Sequence, residues 1–223
     1  MRIFIKKIFN LIIDLIFPPN KEELEIRKLS PQSFKEKVKR AKKPEFYFIN
    51  AVIAYKDRLA KELIWQIKYK KNKYAIEIAG FILYQWINEN IKDDCILIPI
   101  PISKRRRKER GYNQCELIID EIIRLNEKDE IKKIKLEKNY NLLIREKNLS
   151  KQTFKNKKER LKANDIFKIN KESSNNDFLK DNFLNKKIII IDDVTTTGNT
   201  LKEAYSVMLK TQYRNIIVIA LAH

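Results

Sequence analysis

Two apolar patterns alternate along the chain. Continuous apolar runs bounded by charge occur at CILIPIPIS (Cys95 to Ser103), KKIIIIDD (Lys186 to Asp193) and NIIVIALAH at the end. Each reads as a strand buried on both faces. Elsewhere apolar residues recur every three to four positions. Leu59, Leu63, Ile64 and Ile67 mark a helix over Asp57 to Tyr69, and Ile78, Ile82, Tyr84 and Ile87 mark another over Tyr74 to Ile91. Asn113 and Glu116 stand at capping-box spacing and predict a helix start at Asn113; Thr200 and Glu203 repeat the spacing and predict a second from Thr200. FYFINAVIAY reads as a strand pair or as one strand with its entry, and NYNLLIRE and DIFKIN as short strands. Strands alternating with helices, the strands being continuous apolar runs, predict an α/β fold around a mostly parallel sheet.

The ends and connections are less regular. MRIFIKKIFNLIIDLIFPP is apolar, but Lys6, Lys7, Asn10 and Asp14 interrupt it at helical spacing. It reads as an amphipathic helix ended by Pro18 and Pro19, docked on its own domain or a partner rather than lying on a membrane. A small-residue cleavage site and an uninterrupted span of about 20 residues are both missing, so no transmembrane segment and a cytoplasmic location are expected. Asn20 to Pro44 is a Lys/Glu-rich connector, which divides the chain into an appendage over 1–44 and a domain over 45–223. Lys147 to Lys158 is a candidate mobile loop, and ESSNNDFLKDN a surface insertion.

Composition adds one unusual number. The 223 residues carry a formal net charge of +19, a field that attracts nucleic acid, phosphorylated metabolites or an acidic membrane surface. A bias toward Lys, Ile and Asn explains the total equally well, so placement must decide. Cys95 and Cys115 form no CxxC pair and read as buried thiols, which argues against structural zinc and a disulfide framework. The single histidine, His223, is the last residue and a poor candidate for catalysis.

The candidate chemistry lies at the end of the clearest strand. Lys187 to Ile191 delivers Asp192 and Asp193 to the carboxyl edge of the sheet, where open α/β sheets bind ligands. Thr195-Thr196-Thr197-Gly198-Asn199 then turns into a helix N-terminus, whose free N–H groups and dipole make an anion cradle. Gly198 allows close backbone approach to a phosphate, and the hydroxyls of Thr196, Thr197 and Thr200 add uncharged donors. Two adjacent carboxylates suit sugar hydroxyls or Mg2+ better than a bare phosphate. Carboxylates beside a phosphate cradle describe a ribose-phosphate site; the plainer reading is a capped strand–turn–helix.

IIIIDDVTTTGNT (Ile188 to Thr200) resembles the phosphoribosyl-pyrophosphate signature of type I phosphoribosyltransferases. The chain further resembles the ComF family of competence-associated, phosphoribosyltransferase-like proteins. That likeness rests on IPIPISKRRRKERGYNQ (Ile98 to Gln114), on Arg145, Gln152, Arg160, Asn164 and Phe167, and on AYKDRLAKELIWQIKYKKNKY, and it covers roughly Ala51 to His223. It implies a type I phosphoribosyltransferase fold with an N-terminal helical appendage. By implication Asp192 and Asp193 are the candidate catalytic pair, holding ribose hydroxyls directly or around Mg2+. Thr195, Thr196, Thr197, Gly198, Asn199 and Thr200 would hold the 5′-phosphate. Pro99 to Ser103 would correspond to the pyrophosphate loop, with Pro101, Ile102 and Ser103 as its binding residues and Arg107, Arg110 and Gln114 near it, and Lys147 to Arg160 to the closing loop. The chain departs from the family at FPPNKEELEI, which has no cysteine where members carry a zinc ribbon, so no zinc is expected.

The implied reaction, if the chain is an enzyme, is phosphoribosyl transfer: a nucleophile attacks C1 of the ribose as Mg2+-pyrophosphate leaves, with no evident general base. The alternative is a non-catalytic DNA-uptake accessory protein that binds single-stranded DNA or a helicase partner of the competence machinery. Lys104, Arg105, Arg106, Arg107 and Lys108 form the densest basic cluster, read as a loop. It could neutralise pyrophosphate, bind a nucleic-acid backbone, or be a solvated helix start.

Overall fold

The computed structural model describes residues 18–131, 134–145, 166–170, 186–211, 213 and 215–223. The expected helix over 1–17, the loop over 147–160 (with Gln152 and Arg160), Asn164 and the insertion over 172–182 lie outside them.

Five strands form the central sheet: β1 (Ile49–Ile53), β2 (Cys95–Pro99), β3 (Leu136–Lys138), β6 (Lys187–Val194) and β7 (Ile216–Ala222). Their order is β1-β7-β6-β2-β3, and every pairing is parallel. A separate antiparallel hairpin joins β4 (Leu143–Arg145) to β5 (Phe167–Ile169). The architecture is thus the α/β fold of phosphoribosyltransferase type. FYFINAVIAY resolves into one strand, β1, with Phe46 and Phe48 in its entry. β3, a three-residue edge strand, has no signal in the apolar pattern.

The run Ile188–Ile191 explains why the sheet needs cover on both sides. Ile189 and Ile191 pack with α3 (Arg58–Trp65), α4 (Lys73–Asn90) and α6 (Gln114–Lys128). Ile188 and Ile190 pack with α7 (Asn199–Leu209) and the β4–β5 hairpin. All four side chains are fully buried, each contributing about 1.5–3 kcal/mol. Side-chain alternation along a strand therefore divides one apolar run between two cores.

Helix starts follow local capping. Asp57 caps α3 through the N–H groups of Leu59 and Ala60, Asn72 caps α4, and Asn113 caps α6 through the Cys115 N–H. The helix predicted from Thr200 begins instead at Asn199, with Gly198 as its N-cap and no side-chain cap. Glu203 does not close a capping box; its carboxylate accepts the N–H of Ile166. Glu116 likewise binds the Arg107 guanidinium. Both predicted starts hold to within a residue, but the two glutamates serve tertiary contacts.

The Lys/Glu-rich stretch 20–44 contains α1 (Lys21–Lys28) and α2 (Pro31–Lys37). Ile26 and Phe34 are buried against the domain, and Glu25 ties the two helices to α3 through Lys37 and Arg58, each at 2.6 Å. Between α3 and α4 the chain makes a π turn, Gln66–Lys70, closed by Lys71 at φ 48. The basic segment expected as a loop is a short helix, α5 (Lys104–Arg110), capped by Ser103 and ended by Gly111 at φ 79. Among the described residues no helix is long and apolar enough to cross a membrane.

Candidate functional site

β6 outlasts its neighbour β2. The β2–β6 ladder ends at Pro99 opposite Ile191, and the chain leaves the sheet after the Ile100 N–H bonds the Ile191 carbonyl at 2.9 Å. β6 continues beside β7 to the Val194–Ala222 pair. Asp192 and Asp193 therefore stand past the end of β2, facing the loop at Ile100, Pro101 and Ile102. Between them lies a cavity of about 390 Å3.

The two carboxylates are nearly enclosed yet differently held. Asp192 Oδ1 accepts the Asp193 N–H at 2.9 Å and lies 3.8 Å from the Cys115 Sγ. Burial pushes its pKa up to about 7, with the adjacent Asp193 charge acting in the same direction. Asp193 is only 3% exposed; its Oδ1 meets the Lys68 ammonium at 3.1 Å, and its Oδ2 is buried without a hydrogen-bond partner among the described residues. A buried carboxylate oxygen costs free energy when it accepts nothing, so Oδ2 marks a place for a donor from a ligand or cation. The Cys115 thiol, buried against this pair, is pushed well above its usual range and remains a neutral thiol.

The turn after β6 is braced from beneath. The Thr195 N–H bonds the Ala222 carbonyl at 2.9 Å, and His223 Nδ1 reaches the Thr195 carbonyl at 3.1 Å. Thr195 is thus a buried strut, and His223 supports the turn without facing the cavity. Gly198 sits at φ 74, and a Cβ there would come within 2.6 Å of Phe46 and 2.9 Å of Ile49. Its missing side chain makes room for the core below the turn, whereas the sequence suggested room for a phosphate above it. Thr196 and Thr200 line the cavity, while Thr197 and Asn199 are exposed beside it. Among the described residues no side chain caps α7, which leaves its first N–H groups to an anion.

The basic helix divides its charges by direction. Arg106 lines the cavity. Arg107, expected there, instead forms a two-pronged ion pair with Glu116. Arg110 donates to Gln114 Oε1 at 3.0 Å and lies over the Tyr69 ring. Ser103 is spent on capping the helix. Lys104, Arg105 and Lys108 are exposed. Tyr112 is held by its hydroxyl, which donates to the Ile67 carbonyl at 2.7 Å.

Two cations at the cavity escaped singling out as site residues. Lys68 comes from the π turn, where helical periodicity gives no sign that its side chain turns inward. Arg145 comes from β4, its guanidinium over the Phe167 ring. Burial, then the like charge of Arg106, hold Arg145 below its ordinary pKa, so two guanidinium groups share a partly enclosed space. The lining thus combines Lys68, Arg106 and Arg145 with Asp192 and Asp193. It can present donors to an anion at one end and acceptors to hydroxyls at the other.

No family model matches the chain. A curated protein does: the Competence protein ComFC of Bacillus subtilis (strain 168) is 35% identical over 115 residues. The alignment takes in 52% of this chain and spans 38% of the length of that relative. Together with the fold, this similarity supports a ComF family relationship for the chain.

Proposed function

We propose that the chain binds phosphoribosyl pyrophosphate, as a phosphoribosyltransferase-like protein serving competence. The observation that carries this reading is Asp193: a buried carboxylate with one oxygen unpartnered among the described residues, near a helix N-terminus that none of them caps with a side chain. A ribose diol donates to such a carboxylate, and a 5′-phosphate accepts from the α7 N–H groups and from Thr196 and Thr200. The diphosphate then lies toward Arg106 and Arg145, whose planar donors match phosphate oxygens. The competence role rests on the name of the B. subtilis relative.

Mg2+ fits this site as an ion carried by the ligand. Among the described residues no three His, Cys, Asp or Glu side chains converge to cage a metal. Mg2+ is commonly held by one or two carboxylates plus substrate phosphates and water, and Asp193 Oδ2, with Asp192 beside it, can supply that share. Bound there it would neutralise charge on the diphosphate. Asp192 and Asp193 orient the ribose, and the cations of the lining favour departure of an anionic group from C1.

The test is titration calorimetry of phosphoribosyl pyrophosphate with Mg2+ against the wild type and Asp193→Asn. Binding that weakens at least about tenfold in the variant is expected, the worth of one charge-assisted hydrogen bond. Equal binding by both proteins would remove Asp193 from the site.

The second reading, a nucleic-acid-binding accessory, is favoured by one feature: Arg105 is 82% exposed, with Lys104 and Lys108 exposed beside it on α5. The residues to change are these three, since Arg107 is paired with Glu116 and Arg106 lines the cavity. Their replacement by Gln should flatten the salt dependence of single-stranded DNA binding while leaving phosphoribosyl pyrophosphate binding intact.

A further inference from the structure

We infer that Lys68 is a built-in cation for the acidic pair, which lets the site take its sugar diphosphate without a divalent metal. This inference rests on the binding reading above and assigns a role within it.

The placement of Lys68 is unusual. It lies in the middle of a π turn, an interruption of regular helix that is frequent at functional sites. A line of side-chain hydrogen bonds running through the buried Glu62 and Gln66 holds this turn. Asn20 Nδ2 donates to Glu62 Oε2 at 2.9 Å, Gln66 Nε2 to Glu62 Oε1 at 3.0 Å, and Asn72 Nδ2 to Gln66 Oε1 at 2.8 Å. The Asn72 N–H bonds the Gln66 carbonyl, and Lys71 takes a left-handed conformation that residues with a side chain seldom adopt. The backbone of Lys68 is thereby fixed, and its long side chain alone decides where the charge sits.

That side chain reaches Asp193 at 3.1 Å and lines the cavity. A purely structural ion pair at this depth would be expected to satisfy both oxygens of the carboxylate, because each unsatisfied buried acceptor is costly. Here Oδ2 is buried and left without a hydrogen-bond partner among the described residues, on a side chain that lines the cavity. Lys68 neutralises the pair while leaving an acceptor for the ligand, the service a carboxylate-bound metal performs in sites that need one. Counting the lining charges gives three cations (Lys68, Arg106, Arg145) against two carboxylates (Asp192, Asp193). The cavity therefore attracts an anion without help from an added ion.

Lys68 also lines a second cavity of about 460 Å3, together with Tyr55, Trp65 and Tyr69. Lys68 thus borders both spaces, with its ammonium on Asp193.

The experiment titrates phosphoribosyl pyrophosphate into wild type, Lys68→Met and Lys68→Arg, each in EDTA and in Mg2+. Wild type is expected to bind in EDTA within about threefold of its Mg2+ affinity, because its own cation serves the pair. Lys68→Met should lose about tenfold or more in EDTA and recover in Mg2+, while Lys68→Arg follows wild type. Wild-type binding that needs Mg2+ overturns the inference, as does undiminished EDTA binding by Lys68→Met. Folded wild type that binds in neither buffer overturns the parent reading as well. Should Lys68→Met fail to fold, the wild-type comparison across the two buffers still decides.

Discussion

Gly198→Ala separates two explanations for the glycine in the turn. The residue has φ 74, where any side chain is strained by about 1–2 kcal/mol. A Cβ there would also lie 2.6 Å from Phe46 Cδ2 and 2.9 Å from Ile49 Cδ1. Phe46 cannot swing away freely: its ring centroid is 5.7 Å from that of Phe48, and the Lys202 ammonium sits 4.8 Å above it. Ile49 is buried in the same core. Overpacking of this kind adds about 1–3 kcal/mol, so the variant should lose roughly 2–5 kcal/mol in all. Gly111→Ala supplies the control, with φ 79 and nothing within 4 Å of the new atom. It should lose only the conformational part, about 1–2 kcal/mol. Urea unfolding followed by tryptophan fluorescence measures both, with the slope checked for constancy. Equal losses would refute the packing argument. Were that paired with lost ligand binding in Gly198→Ala alone, the glycine would serve the phosphate instead.

Three further outcomes follow from the site. Asp192 has its pKa raised to about 7, above the unfolded value of about 3.9, so between these the native state holds a proton that the unfolded state lacks. Its contribution to stability is then full below about pH 4 and is lost as pH rises through 7; Asp192→Asn should gain roughly 2–4 kcal/mol relative to wild type on going from pH 4 to pH 8. Unfolding free energies at both pH values check this, and a pH-independent difference refutes it. Arg106→Met should weaken phosphoribosyl pyrophosphate binding about tenfold while Arg107→Met leaves it unchanged, since only Arg106 lines the cavity; calorimetry showing the reverse order would invert the assignment. Burial pushes Cys95 up to about 12 and Cys115 well above its usual range, so neither thiol should react with a thiol reagent at pH 8 until the protein unfolds. Rapid native labelling of either would contradict its placement.

Much of the fold is legible in the apolar pattern because a parallel sheet buried on both faces leaves continuous runs such as Ile188–Ile191. The main helices are legible for the complementary reason, and Asn113 shows that a polar cap can fix a start to the residue. What the pattern hides is structure that depends on distant partners. β3 is three residues long and exists because β2 offers it an edge, with Leu136 buried and Lys138 exposed. Glu116 and Glu203 sit where capping boxes would place them, yet Arg107 and the Ile166 N–H outcompete the helix ends. Lys68 is hidden by the π turn, which rotates the side chains after Trp65 out of the phase that α3 predicts.

The basic cluster shows most plainly what a linear reading loses. As a loop, Arg105, Arg106 and Arg107 form one patch with one purpose. On a helix each residue is turned about 100° from the last, so three adjacent arginines point three ways. Arg105 points to solvent, Arg106 to the cavity and Arg107 to Glu116. The charge available to an anion at the site is then one guanidinium from the cluster, joined by Arg145 from a separate hairpin and Lys68 from the π turn. On the proposed reading, pyrophosphate and nucleic acid need not compete for the same arginines: Arg106, which lines the cavity, would serve the first and Arg105 the second. A double replacement of Arg106 and Arg105 should accordingly be additive, with each change touching its own ligand, and coupling between them would mean that the helix acts as a single surface after all.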